Sequence, residues 1–507
     1  MTGSQWLKPI NIRRNVGIKA KSTEEDVEPL SPGAQLFLAP QFNCCIISLA
    51  GSKTKIDVEI VKEGIERTMI KHPRVSSKLV FDPKKGDKPI GWVRTKVIVD
   101  DHIIVPDLDP NMDSPDQFLE DYISNMTKTP MDLSKPLWEI HLLNIKTKNA
   151  NAIGIFKIHH SMGDGTSIMS HVLACTRQTA NPNALPTLPT DKNKKRVLRP
   201  SSSLGLLSLF YGMLFLFKMV WNTLIDVSLF IASTLWLKDT KTPLKGNLTT
   251  GTGPKRFVYR TVSLEDIKLV KRALDVTIND VLLGMTQAGL SYYLNRKYGE
   301  IKGDKKDQGN NLPKNIRLRS TVLVNRRSPS TIEALAERMA SDVEGRWKWE
   351  NAVGYVILPF NIAIRDDPLD YIRDAKATID KKKCSLEVPC TYDIAMVLLK
   401  IFGLPVVAAL SRRLLSHVTL SFSNLLGPQE EISFYGHPMV FLASTVYGHP
   451  QVHHLCAFII TAGWIRLNLV GFRSGFKSVP LVSDPTDRDP WPSLLYSIDN
   501  PFSELHG

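Results

Sequence analysis

Residues 159–165 read His159-His160-Ser161-Met162-Gly163-Asp164-Gly165, a histidine pair followed at fixed spacing by Asp-Gly. Before it, Asn151 to Ile158 (NAIGIFKI) is rich in β-branched and apolar residues and reads as a buried strand. After it, Thr166-Ser167 precede Ile168, Met169, Val172 and Leu173, whose spacing suits a helix with a hydroxyl cap near its start. The heptad therefore sits on a tight strand-to-helix connection, where Gly163 and Gly165 are read as letting the chain turn and a substrate come close. Successive strand side chains point to opposite faces, so His159 and His160 cannot both face one channel while the strand persists. One histidine is expected to be chemical and the other structural.

A lone histidine is usually a satisfied polar residue. The composite HHxxxDG pattern is far rarer, and it resembles the signature of CoA-dependent acyltransferases. Three further segments narrow the match to the wax ester synthase/diacylglycerol acyltransferase family. Pro136-Leu137-Trp138, about twenty residues upstream, resembles that family's PLW; Asn279-Asp280 resembles its Asn-Asp motif; Ser423-Asn424-Leu425-Leu426-Gly427-Pro428 resembles its late SNxxGP segment. The stretch from Trp349 to Pro359 is similar to the family's aromatic Asn-containing segment. Alone, PLW reads as an ordinary turn and Asn-Asp as a helix cap; their order around the heptad carries the case. Plant alcohol acyltransferases share HxxxD but also carry DFGWG, which this chain lacks. The resemblance runs from about residue 30 to residue 470. It weakens towards the end, where the chain reads VGFRSGFK and continues into a Pro- and Asp-rich tail.

The resemblance implies a two-domain α/β fold of the chloramphenicol acetyltransferase type, with the active-site channel between domains. The expected division is residues 1–185 with the heptad, a basic linker and hydrophobic membrane-associated segment at 186–250, and a second acyltransferase domain at 251–507. It also implies direct attack of an alcohol on a thioester without an acyl-enzyme. His160 is then the general base, Asp164 an organiser of the loop through an internal ion pair, Gly165 a gap at the channel, and His159 a support for the geometry. Pro136, Leu137, Trp138, Asn279 and Asp280 are taken as substrate-binding residues. Histidine suits the base role because its ordinary pKa lies near neutrality. No GxSxG elbow is present and no cysteine stands out as a nucleophile. The implied co-substrate is long-chain acyl-CoA, with no resident cofactor, and the implied acceptor is a fatty alcohol or diacylglycerol.

Composition bounds the rest. The 507 residues exceed one simple core, and 43% hydrophobic with 22% charged residues is ordinary for a folded protein. The net charge of +14 fits an anionic membrane surface or coenzyme A phosphates. No finger, helix-turn-helix or RNA-recognition pattern supports a nucleic-acid partner. Six cysteines lack CxxC spacing, so neither a metal site nor a disulfide framework is expected.

From Pro200 to Phe217 there is no charge; after Lys218 the apolar run resumes, broken by Asp226, to Leu237. A spanning helix needs about 20 apolar residues, and two spans need roughly twice that plus a turn. One span would put the two halves of a shared site on opposite sides of a membrane. The reading preferred here is a monotopic or re-entrant element on a membrane lipid surface, at the cytosolic face of the endoplasmic reticulum or at the cell membrane. A core helix is the competing reading. Lys218 and Asp226 suit a polar face or snorkelling in either case.

Overall fold

The computed structural model describes residues 27–40, 42–82, 88–109, 112–188, 206–244, 255–302, 309–325, parts of 332–337, 353–448, 454–461 and 464–472. The basic run at 192–199, the first part (303–308) of the polar 303–315 loop, residues 349–352, His453 and the tail beyond 472 lie outside the described residues.

Two sheets position the site. The first has seven strands in the order Ile103–Ile104, Trp138–Leu143, Ala152–His159, Cys45–Ser52, His437–Tyr447, Ile432–Phe434, Thr176–Gln178. The heptad's strand, Ala152–His159, is central and buried along its whole length, Lys157 included, in keeping with its largely apolar sequence. The second sheet has six strands in the order Val353–Phe360, Leu318–Asn325, Leu420–Leu426, His454–Thr461, Trp464–Phe472, Lys255–Ser263. Each sheet carries its own large apolar cluster.

The expected cut at residue 251 needs correction. Residues 432–447, late in the chain, belong to the first sheet, with Tyr447 paired to Cys45 and Ala443 to Leu49. Without this crossover, Cys45–Ser52 would be an exposed edge with a row of unpaired backbone groups. A late segment closes the early sheet, so a contiguous 251–507 unit does not describe how the sheets are built.

Local readings also shift. The short apolar run Leu36-Phe37-Leu38, whose composition alone would suit a strand, lies in a helix, Pro32–Leu38. Ser31 Oγ accepts from the Ala34 N–H and Pro32 opens the first turn, a hydroxyl cap with proline at the start that outweighs a short apolar run. The amphipathic segment after residue 56 forms a helix, Val58–Arg67, capped by Asp57. Residues 264–298 form two helices, Leu264–Ala273 and Ile278–Lys302.

Two further helices are long and apolar enough to cross a membrane: Leu206–Leu235 and Glu387–His417. They pack against each other. Their apolar windows are only 11% buried, which excludes the core-helix reading. The sequence reading anticipated the first and not the second. Lys400, Gly403, Pro405 and the Arg412-Arg413 pair interrupt the second run, and Gly403 kinks it at φ 75°. Lys218 is exposed, whereas Asp226 turns inward and is buried.

Candidate active site

The heptad's strand ends at His159, and a single 3-10 turn, His160–Met162, leads into the helix Gly165–Ala174. Backbone bonds extend the sheet through this turn: the His159 N–H donates to Leu137 O (3.0 Å) and the His160 N–H to Cys44 O (2.8 Å). The change of backbone direction after His159 separates the two rings. His159 is bonded at Nδ1 to Ser161 Oγ (2.7 Å) and at Nε2 to Asn43 Oδ1 (3.2 Å). Burial, with the neighbouring His160 charge, pushes its pKa down to about 3, so the ring is neutral and structural at physiological pH.

His160 instead lines a cavity of about 660 Å³. Its imidazole stacks on Phe37, with ring centroids 4.2 Å apart and planes 24° from parallel. Burial lowers its pKa from the ordinary value. Its own carbonyl, the Asp164 carboxylate and the Gly163 carbonyl pull the other way. A neutral, buried imidazole facing a cavity is the state a general base requires.

Asp164 caps the following helix: its Oδ1 accepts from the Ser167 N–H at 2.8 Å. The cap is thus a carboxylate rather than the expected hydroxyl, a strong acceptor placed at a helix N-terminus. The glycines need a second correction. Gly163 has φ 171°, extended backbone open to any residue, so it is not required for the turn. Gly165 opens the helix and lines the cavity, and a Cβ there would meet only Leu425 Cδ1 at 3.9 Å.

Of the five residues taken as substrate-binding, only Asn279 reaches the cavity, where its Oδ1 accepts from Asn424 Nδ2. Asp280 is fully buried and forms a reciprocal cap with Thr277: Oδ2 accepts from the Thr277 N–H (2.7 Å), and Thr277 Oγ1 from the Asp280 N–H (3.3 Å). Leu137 and Trp138 are buried in the core of the first sheet. The Trp138 Nε1–H donates to Val75 O (2.9 Å) and its ring stacks on His102. Pro-Leu-Trp therefore anchors the strand beside the heptad's turn, with the Leu137 carbonyl accepting from the His159 N–H, and does not line the cavity.

Sequence reasoning missed Phe37 and Asn43, which come from a segment read as strand and touch the heptad only in space. It also missed Asn424 as a site residue, although SNLLGP had been singled out. Lys382, another cavity residue, bonds Asp226 on the apolar helix (2.8 Å) and Glu387 (2.7 Å).

The profile of the wax ester synthase/diacylglycerol acyltransferase catalytic domain matches residues 44–282, and that of the WS/DGAT C-terminal domain matches 349–480. Two Arabidopsis thaliana relatives, wax ester synthase/diacylglycerol acyltransferases 11 and 5, are each 48% identical to this chain. The matches cover 85% and 87% of this chain and 87% and 89% of theirs. The chain belongs to the wax ester synthase/diacylglycerol acyltransferase family. The solved family enzyme from Marinobacter aquaeolei VT8 superposes with a TM-score of 0.56 at 15% identity, covering 94% of this chain and 99% of that one. The first condensation domain of the calcium-dependent antibiotic synthetase gives 0.51 at 14% identity, with 93% and 96% covered. The fold is thus the α/β acyltransferase fold that this family shares with condensation domains, with His160 facing the cavity and His159 bonded away from it.

Proposed function

We propose that this chain transfers a long-chain acyl group from acyl-CoA, its co-substrate, to the hydroxyl of a fatty alcohol, and secondarily to diacylglycerol. The observation that carries the mechanism is His160, neutral, stacked on Phe37 and facing a largely apolar cavity. The imidazole takes the hydroxyl proton as the alcohol oxygen forms its bond to the thioester carbonyl carbon. The C–S bond then breaks, and the imidazolium returns that proton to the departing thiolate. The amide N–H groups of Asn279 and Asn424 are the donors offered to the developing oxyanion. Asp164 holds the loop and favours the imidazolium formed in passing.

Long-chain substrates are supported by the apolar cavity and the two exposed apolar helices. Residues 209–217 of the first helix are exposed on all sides, a surface suited to lie in one leaflet of a membrane. The cytosolic face of the endoplasmic reticulum is the location this reading favours.

The test is lipid analysis of cells lacking neutral-lipid synthesis, fed a fatty alcohol and expressing wild type or His160→Ala. Wax ester from wild type alone is expected. Triacylglycerol alone would reverse the acceptor preference, and unchanged product from His160→Ala would remove the assigned base.

A further inference from the structure

The second apolar helix, Glu387–His417, is fastened to the first at both of its ends, and the two fastenings are close together. At its start, Asn222 Nδ2 donates to the Cys384 carbonyl (3.2 Å), the Leu386 N–H donates to Thr223 Oγ1 (2.9 Å), and Lys382 pairs with Asp226 (2.8 Å). At its finish, His417 Nδ1 bonds the Ser233 carbonyl (2.7 Å) and Arg413 Nη2 donates to the Leu235 carbonyl (2.6 Å). The buried Arg319 guanidinium adds bonds to Leu237 O (2.8 Å) and His417 O (3.3 Å). Thr223 and Ser233 lie on one continuous helix, about 15 Å apart along its axis. A straight helix from 387 to 417 would be about 46 Å long, far too long to lie between those anchors.

Gly403 resolves the mismatch. Its φ of 75° breaks the helix into arms 387–402 and 404–417. Pro405 then falls in the first turn of the returning arm, where its missing N–H costs no bond. Arms of about 24 and 21 Å on a base of about 15 Å put the bend roughly 20 Å from the anchors. Both arms are seated on the protein. Glu387 Oε1 accepts from the Ile357 N–H (3.0 Å) and Thr391 Oγ1 donates to Tyr355 O (3.0 Å), both on the edge strand of the second sheet. Ala408 and Leu415 pack with Phe37, Phe42 and Cys44. The bend has no such cover: Ile401 is 65% exposed, Phe402 57%, and Lys400, Pro405 and Val406 are exposed as well.

Charge and length argue about what meets the bend. The exposed charges of this helix are Lys400, Arg412 and Arg413 against Asp393 alone, a balance that suits anionic headgroups. The long stem of Lys400 lets its ammonium stay among headgroups while Ile401, Phe402 and Val406 go below them. The helix is long and apolar enough to span. Yet ends held about 15 Å apart cannot reach both faces of a hydrocarbon core about 30 Å thick.

We propose that residues 400–406 form a wedge that enters one leaflet of an anionic bilayer and returns to the same side, so that this helix is re-entrant and not spanning. This rests on the membrane attachment proposed above, and adds to it the segment that enters and the depth it reaches.

The experiment uses the full-length protein carrying Phe402→Cys, labelled with an environment-sensitive fluorophore and bound to vesicles of phosphatidylcholine and phosphatidylserine. Wild type taken through the same labelling gives the background from the native cysteines. A lipid nitroxide near the headgroup should quench the label about twofold more than one near the chain end. Leu386→Cys and Arg412→Cys, one towards each fastened end, should both stay open to iodide added outside. Ile401→Cys repeats the first reading should the Phe402 variant fail to fold. Protection of one end but not the other means a span and overturns the wedge. So does a label at 402 that lipid nitroxides leave unquenched in protein that floats with the vesicles. A label shielded inside a dimer, away from lipid, gives the bend to a second copy and overturns it too. Protein that does not float with vesicles overturns the membrane attachment itself, and this inference with it.

Discussion

The Phe37 ring lies against the His160 imidazole, centroids 4.2 Å apart, although 122 intervening residues separate them in the chain. The contact covers one face of the base with an apolar wall and thereby sets both its orientation and its desolvation. Phe37 is 3% exposed. Phe37→Ala should cost about 3 kcal/mol of stability and lower kcat by releasing the ring. Phe37→Leu should keep most of the stability and still lose part of kcat. Urea unfolding beside single-turnover rates separates the two effects, and a Phe37→Ala enzyme with wild-type kcat would discard the orienting role.

The pH profile follows from the groups around the base. His160 must be neutral to accept a proton, and burial lowers its pKa below the usual histidine value. The acid limb of kcat/KM should therefore lie below pH 6.5. The Asp164 carboxylate raises that pKa. Asp164→Asn keeps a good helix cap but removes the charge, so the limb should move to still lower pH with a modest fall in the plateau. A limb shifted to higher pH in this variant would contradict the electrostatics.

Acid should also weaken the fold. His159 is held at about 3 and His171 at about 4, both by burial, against an ordinary 6.5. Between those values and 6.5 the unfolded chain binds more protons than the folded one. Stability is thus present above about pH 6.5 and lost as pH falls towards 3. The urea midpoint measured across this range should drop steadily, and His159→Gln should flatten the slope.

Two neighbouring residues should give opposite phenotypes. Asp280→Ala removes the reciprocal cap with Thr277 and should cost about 1 kcal/mol of stability with the KM values unchanged. Asn279→Ala should leave thermal stability near wild type and reduce kcat, since Asn279 lies on the cavity wall beside Asn424. Trp138→Phe belongs with Asp280: loss of the bond to Val75 O should cost about 1–2 kcal/mol without changing either KM. A KM effect there would restore the substrate-binding role that its position in the fold denies it.

Asp226→Ala tests the clamp between the apolar helix and the cavity wall. Lys382 would lose one of its two carboxylate partners and keep Glu387, at a cost of about 2 kcal/mol. Thermal inactivation of the detergent-solubilised protein should occur at lower temperature, and Asp226→Glu should recover part of the loss. An Asp226→Ala protein as heat-resistant as wild type would show that the triad contributes nothing to holding the helix.

Much of the catalytic turn was legible in the sequence because its determinants are local. An apolar run of strand length, two adjacent histidines that strand geometry must point apart, and a helical spacing of apolar residues from Ile168 to Leu173 are patterns a few residues long. They gave the strand, the expectation that His159 and His160 face different ways, and the helix that follows. The motif order gave the family. The small errors were local as well: Ser31-Pro32 was an available helix-start signal, and Asp164 was a better cap than the hydroxyls beside it.

What the sequence left open were relationships between distant segments. Nothing local to Phe37 or Asn43 marks them as partners of the heptad, nothing in the PLW triplet says whether it meets substrate or core, and nothing in residues 432–447 says that they close the first sheet. Asp226 in an apolar run reads equally as a snorkelling residue or an interior one; only the approach of Lys382 decides it. Periodicity and capping act through neighbours along the chain, and so they determined the elements, while the choice of His160 as base came from the motif's resemblance. Pairing of strands and charges far apart in sequence depends on which surfaces meet after collapse, and that the tertiary structure alone decided.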